Sequence, residues 1–272
     1  MHAASSRHPF DEAIALEAIG EDRWRGSTHP DYRNMVGPYG GITAAVALAA
    51  VLAHPQCQGD PVAQTVHFAA PVADGPFEMH ARPIRTNRSS QHWLVEMRQG
   101  EVIPVFGTAV TALERDTWEA TDAIFPQVPP ASALASLDTN VLPLPWIQRY
   151  DMRFVRGMIG QDPDPAHPSE SLLWVRDEPP RPLDFIALAS LCDVFFPRLY
   201  LRRPRRVPIG TVTLTTYFHA SEAMLAQVGD AHVLGIARGL HYGKGFFDQR
   251  AEIWSPEGKL LASSTQLVYF KE

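Results

Sequence analysis

The sequence has only two cysteines, Cys57 and Cys192, which allow at most one bridge and exclude a disulfide-stapled scaffold. They lack metal-ligand spacing, and both read as free thiols. Positive charge is also in deficit: 24 Lys and Arg stand against 30 Asp and Glu, a net charge of −6. No overall field exists to draw the chain onto nucleic acid or anionic lipid. Long apolar runs are missing as well. The longest, Ile42 to Ala53, stops at His54-Pro55, short of the roughly 20 residues that span a bilayer, and reads as a buried helix. Met1 to Asp11 lacks the apolar core of a secretory signal, so the expectation is a cytoplasmic protein without membrane insertion.

The familiar catalytic signatures are absent too. No G-x-S-x-G elbow, H-E-x-x-H pair, C-x-x-C pair or G-x-G-x-x-G fingerprint occurs. The segment Gly239 to Lys244 looks like a phosphate loop, but it is one residue short, and Gly245 stands where Ser or Thr is needed.

What is present is a globular chain of 272 residues, 45% hydrophobic and 20% charged, a length that suggests two domains. Pro126, Pro129, Pro130, Pro143 and Pro145 mark 116–145 as a long connection between residues 1–115 and 146–272. Each flank reads in the same order, a short strand region, an apolar helix, then several strands. In the first half the helix is Ile42 to Ala53, with strands near Ala63 to Phe68, Phe77 to Thr86, Ser90 to Gln99 and Pro104 to Leu113. In the second half Tyr150 to Val155 is strand-like and Leu183 to Phe196 is the helix. Strands follow near Thr211 to Phe218, His232 to Leu240, Phe247 to Trp254 and Leu260 to Phe270. Phe68 and Phe218 end equivalent strands, 218 − 68 = 150 residues apart.

A helix apolar on nearly every side needs a sheet curved around it, and Ala44, Ala45, Ala47, Ala49 and Ala50 suit close wrapping. That arrangement is the hot dog. The fold expected is therefore α+β, a double hot dog whose halves join edge to edge and cover each other's open strands. The competing parse is one larger α+β domain.

Asp193 is the most unusual residue, the only acid between Phe185 and Phe196, near the end of a predicted helix that Pro197 terminates. Burial and the negative end of the helix dipole would both raise its pKa and make it a better base. The same spacing also fits an exposed edge of the last turn. Thr211, at the start of a period-2 strand, and Gln266, within the last apolar run, are polar positions able to meet it. Cys192 has no visible His partner and reads as packing; His67, His219 and His241 read as structural.

Asp193 with Phe195-Phe196-Pro197 after it, Ile209-Gly210-Thr211 leading to Tyr217-Phe218-His219, and Leu261 to Gln266 resemble the second half of the TesB-like type II acyl-CoA thioesterases. Gly37-Pro38-Tyr39-Gly40-Gly41 resembles that family's first half. The resemblance implies a hydrolase of lipid metabolism that cleaves acyl-CoA to a fatty acid and coenzyme A without metal or other cofactor. It also implies that Asp193, Thr211 and Gln266 activate the water, with Thr213 the other candidate for the threonine. A thioester suits these residue types, because its thiol leaves readily and a held water with a base suffices.

Backbone N–H groups at Gly40 and Gly41, where the first helix begins, are candidates for the oxyanion, though the same glycines read equally as plain helix initiation after Pro38. Tyr39 beside them, with Phe195, Phe196 and Trp254, is expected to shape the acyl pocket. Arg203 and Arg206, in the basic run with Arg202 and Arg205 around Pro204, are candidates for the coenzyme A phosphates, as is Lys244; such a run also reads as a solvated loop. The expected partner is acyl-CoA, with no nucleic acid, and a monomer and a homodimer both fit.

Two other functions fit the fold. An enoyl-thioester hydratase or dehydratase would use an Asp and a His, which Asp162 to His167 vaguely suggest. A non-catalytic acyl-CoA-binding protein would keep fold and pocket without turnover.

Overall fold

The computed structural model describes residues 7–161, 164–203 and 205–272; Met1 to Ser6, Asp162 and Pro204 of the readings above lie outside the described residues. The first half contains α1 (Pro9–Ala13), β1 (Glu17–Gly20), β2 (Arg23–Ser27), α2 (Gly40–Leu52), β3 (Asp60–Phe68), β4 (Pro76–Thr86), β5 (Ser90–Gln99) and β6 (Val102–Ala112). The second contains β7 (Tyr150–Arg156), β8 (Ser171–Asp177), α3 (Phe185–Leu191), α4 (Arg198–Arg202), β9 (Ile209–Phe218), α5 (Glu222–Val228), β10 (Val233–Arg238), β11 (Tyr242–Gly243), β12 (Phe246–Trp254) and β13 (Leu260–Phe270).

One sheet of 13 strands runs through the protein in the order β1-β2-β4-β5-β6-β3-β9-β13-β12-β10-β8-β7, with β11 paired to β12. The first six strands of that order wrap α2 and the last six wrap α3. This is the double hot dog, and β3 pairs antiparallel with β9 at its centre. Thr65 faces Thr215 there, and 215 − 65 = 150 is the offset that relates Phe68 to Phe218. The repeat's approximate twofold axis therefore passes through this pair, whose hydroxyls lie 3.0 Å apart.

The first helix forms where the apolar run predicts it and is buried at every position from Gly41 to Val51. Gly41 permits the close approach to the second helix: a Cβ there would stand 2.5 Å from the Ser190 carbonyl. The second helix is much shorter than the predicted Leu183 to Phe196. Asp184 caps its start by accepting from the Ala187 N–H at 2.8 Å, and Cys192 caps its end. Val194, Phe195 and Phe196 continue the apolar run as buried turn residues rather than as helix.

Three further features are visible only in the structure. The connection 116–145 is an ordered strap: Phe125 packs edge-on against Trp254 with ring centroids 5.8 Å apart, and Pro129 accepts from the Trp174 indole at 2.9 Å. Trp254 consequently sits in the cluster under this strap with Leu172, Trp174 and Leu234, and not among the residues around Asp193. The segment that looked like a phosphate loop is a hairpin, in which Lys244 and Gly245 both take positive φ, 56° and 76°, as the two turn residues between β11 and β12.

Candidate active site

Asp193 lies just past α3, in a turn where its N–H donates to the Ser190 carbonyl at 3.1 Å. Its carboxyl is aimed at the start of α2. A Cβ on Gly40 would stand 2.6 Å from Asp193 Oδ2, and the Gly41 backbone N–H acts on the carboxylate to lower its pKa. The acid therefore faces the positive end of one helix as well as following the negative end of another, which the sequence reading had not combined. Asp193 as a residue is half-buried. Burial pushes its pKa up from 3.8 to about 7, against the opposing pull of Gln266 and the Gly41 N–H.

Gln266 is buried, and its Nε2 donates to Asp193 Oδ1 at 2.6 Å. Two residues before it on β13, the Ser264 hydroxyl donates to the Cys192 carbonyl at 3.1 Å and ties the acid's turn to the sheet. The register separates the two threonines. Paired residues of antiparallel strands share a face, and β13 alternates with Ser264, Gln266 and Val268 inward and Leu267 outward. Thr213 pairs with Leu267 and so faces outward, whereas a bulge at Val212 brings Thr211 opposite Val268, onto the face that carries Gln266. Thr211 is half-buried there.

The other expected residues divide. Tyr39 is a supporting residue: its ring is 2% exposed, stacked on Trp146 at 4.4 Å, and its hydroxyl donates to the Ser190 carbonyl at 2.7 Å. Ser190 thus accepts from both Tyr39 and Asp193, and its own hydroxyl meets the Tyr150 hydroxyl at 2.8 Å. Gly41 follows at the second position of α2, its N–H acting on the Asp193 carboxylate. Gly40 remains at the first position of the helix, with no acceptor one turn earlier. Arg203 and Arg206 are exposed beyond α4, at the end of the sheet where β9 begins, and Arg203 forms an ion pair with Glu272. Phe195 and Phe196 are buried beside the site, Phe196 stacked on Phe154 at 5.8 Å.

Because any Cβ at position 40 collides with Asp193 Oδ2, Gly40→Ala should displace the carboxylate. About a 100-fold loss of turnover is expected, with little change in circular dichroism. Full activity in that variant would show that the acid tolerates displacement.

Sequence reasoning missed Ser190, Ser264 and Tyr150, whose roles follow from a turn and a strand register that no local pattern encodes. Cys192 is buried with its thiol pushed up to about 12, as a packing residue. His67 stacks on Phe106 at 4.7 Å and His219 meets the Ser263 hydroxyl at 2.9 Å. Among the described residues no group of three His, Cys, Asp or Glu side chains could hold a metal ion. A cleft of about 370 Å³ lined by Asp22, Arg23, His80 and Glu96 lies on the first half and shares no residue with the Asp193 site.

Residues 121–270 match the family model described as the acyl-CoA thioesterase C-terminal domain, and residues 29–113 match the corresponding N-terminal domain. The chain belongs to the acyl-CoA thioesterase family. That membership supports thioesterase activity. No curated protein matches the chain. Among solved structures, the chain is 45% identical to a conserved protein of unknown function with hot-dog fold from Alicyclobacillus acidocaldarius, over 97% of this chain and 98% of that one, with a TM-score of 0.92. The acyl-CoA thioesterase II of Mycobacterium marinum shares the fold at 18% identity and TM-score 0.76, over 96% of this chain and 98% of that one. A tesB protein of Mycobacterium avium subs paratuberculosis does so at 16% and 0.79, over 97% and 100%. No helix among the described residues is long and apolar enough to cross a membrane.

Proposed function

We propose that the protein hydrolyses acyl-CoA to a carboxylic acid and coenzyme A, with Asp193 as general base. The observation that carries this reading is a carboxyl pushed up to about 7, held at 2.6 Å by a buried glutamine where two helix ends meet. Asp193 takes a proton as the water oxygen attacks the thioester carbonyl carbon. The tetrahedral oxyanion collapses, the C–S bond breaks, and the sulfur leaves with that proton. Gln266 and Thr211, on one face of the sheet, orient the water; the Gly40 N–H is the donor we assign to the oxyanion.

Arg206 and the neighbouring Arg202 and Arg205 are the cations we assign to the coenzyme A phosphates, with Arg203 available once its partner Glu272 yields. We place the domain division between 113 and 121, where the two family matches part, so that the strap 116–145 goes with the second hot dog. A cytoplasmic location fits a coenzyme A substrate.

Thiol release from acyl-CoAs of graded chain length tests the function. One chain length is expected to stand out in kcat/KM, and enoyl-CoA to lose its thiol rather than its double bond. Stabilisation by acyl-CoA without thiol release would replace this reading by a binding protein. A hydratase is disfavoured by the place of its His: His167 pairs with Asp164 at 3.0 Å on an exposed loop.

A further inference from the structure

We propose that Phe68 is a specificity-determining residue, the apolar wall that meets the acyl carbon next to the thioester carbonyl and selects straight-chain over α-branched acyl groups. Phe68 ends β3 and follows Gln64 and Val66 on the inner face of the sheet. Those two are 4% and 2% exposed, whereas Phe68 packs against the first half's core and stays half-buried. Its ring reaches the start of α2: a Cβ on Gly40 would stand 3.5 Å from Phe68 Cζ and 2.6 Å from Asp193 Oδ2. Ring tip, carboxylate and helix start therefore meet at one point. The neighbouring strand brings the same end of the sheet together, since His67 pairs with Thr213 and the next step along β3 leads toward Thr211.

The repeat supplies the comparison. Phe218 ends β9 as Phe68 ends β3, 150 residues earlier, and each faces the first residue of its own helix. In the second half that residue is Phe185, edge-on to Phe218 with ring centroids 6.1 Å apart, and Phe218 is 6% exposed. The side chain of Asp184 caps the same helix start. In the first half the corresponding residue is Gly40, and Tyr39 precedes it without capping the helix by its side chain. The second half thus closes this place with a pair of rings, and the first half leaves one ring beside an acid and a glycine. An apolar group brought by the substrate suits that ring.

Which group it is follows from the chemistry, and here the proposal rests on the hydrolytic reading. The thioester carbonyl carbon carries two substituents, sulfur and the acyl α-carbon. The sulfur leaves with the proton from Asp193 and so faces the carboxyl; the α-carbon takes the apolar side, against Phe68. The ring tip stands at van der Waals distance from the Gly40 Cβ position, so a methyl branch on the α-carbon meets the ring.

Thiol release from butyryl-CoA and isobutyryl-CoA gives the test as a ratio of kcat/KM, which does not depend on the overall activity of a variant. Wild type is expected to favour the straight chain about tenfold or more, and Phe68→Ala to remove that preference. Phe68→Leu, which keeps an apolar residue on the core, is expected to lower the ratio about threefold and decides the matter should Phe68→Ala not fold. A wild type indifferent to the branch, or an unchanged ratio in the folded variant, would overturn the proposal. The uncleavable thioethers S-butyl-CoA and S-isobutyl-CoA separate its failure from that of the hydrolytic reading. The straight thioether is expected to raise the melting temperature of wild type more than the branched one, and the two to act equally on Phe68→Ala. That outcome in a wild type that releases no thiol would sink only the hydrolytic reading, whereas equal shifts from both thioethers in wild type would overturn the role of Phe68.

Discussion

Asp193→Asn is expected to release thiol from acyl-CoA about 1,000-fold more slowly than wild type, with KM little changed, and to melt at a higher temperature at pH 8. The kinetic loss follows because an amide cannot take the water proton, while its oxygen still accepts from Gln266 and its size matches the carboxylate. The stability gain follows from the direction of the pKa shift. Burial raises the folded-state pKa from 3.8 to about 7, so the native state binds the proton more tightly than the unfolded chain does. The associated stability is fully present below about pH 3.8, declines as pH rises toward 7, and is absent above. At 1.36 kcal/mol per unit the shift sets an upper bound of about 4 kcal/mol, which the partial exposure of the residue and the new NH₂ group beside Gly41 reduce to about 1–2 kcal/mol. Melting curves of the two proteins should converge near pH 4 and separate by a few degrees at pH 8. A variant that is inactive but no more stable at pH 8 would show that the carboxylate bears no native-state penalty.

The pH profile of kcat/KM carries the second large effect. The base must be unprotonated, so the rate is expected to fall tenfold per unit below about pH 7, reaching about 100-fold below the plateau at pH 5. The sign of a second shift is fixed too. Gln266 lowers the pKa of Asp193 by donating to its charged form, so Gln266→Leu should move the acid limb to higher pH as well as lower the plateau. Rates measured from pH 5 to 9 for both proteins test this. A flat profile down to pH 5 would mean that the acting base titrates like an ordinary surface carboxylate.

The parts of the fold legible in the sequence are those whose burial is one-sided and regular. Strands β4, β5 and β13 alternate cleanly, and α2 is bounded by Gly40 and by His54-Pro55. Strands β1 and β2 escaped because they are short and largely exposed, with Trp24 their one buried residue. Strand β8 escaped for the opposite reason: the strap covers its outer face, so Ser171 to Val175 are all buried and the alternation disappears. The second helix was read too long because Val194, Phe195 and Phe196 stay apolar in a turn. Asp193 and Gln266 were legible as acids and amides out of place in apolar runs. The opposite facing of Thr211 and Thr213 was not, because a one-residue bulge sets it and bulges leave no mark in composition.

The central claim is that Asp193 moves a proton and never bonds the acyl group. A single turnover of acyl-CoA by excess enzyme in ¹⁸O-labelled water tests it most directly. The account predicts one ¹⁸O in the released carboxylate, thiol formed in equal amount, and none in the Asp193 peptide by mass spectrometry. Label in Asp193 after that first turnover, or no thiol at all, would contradict it.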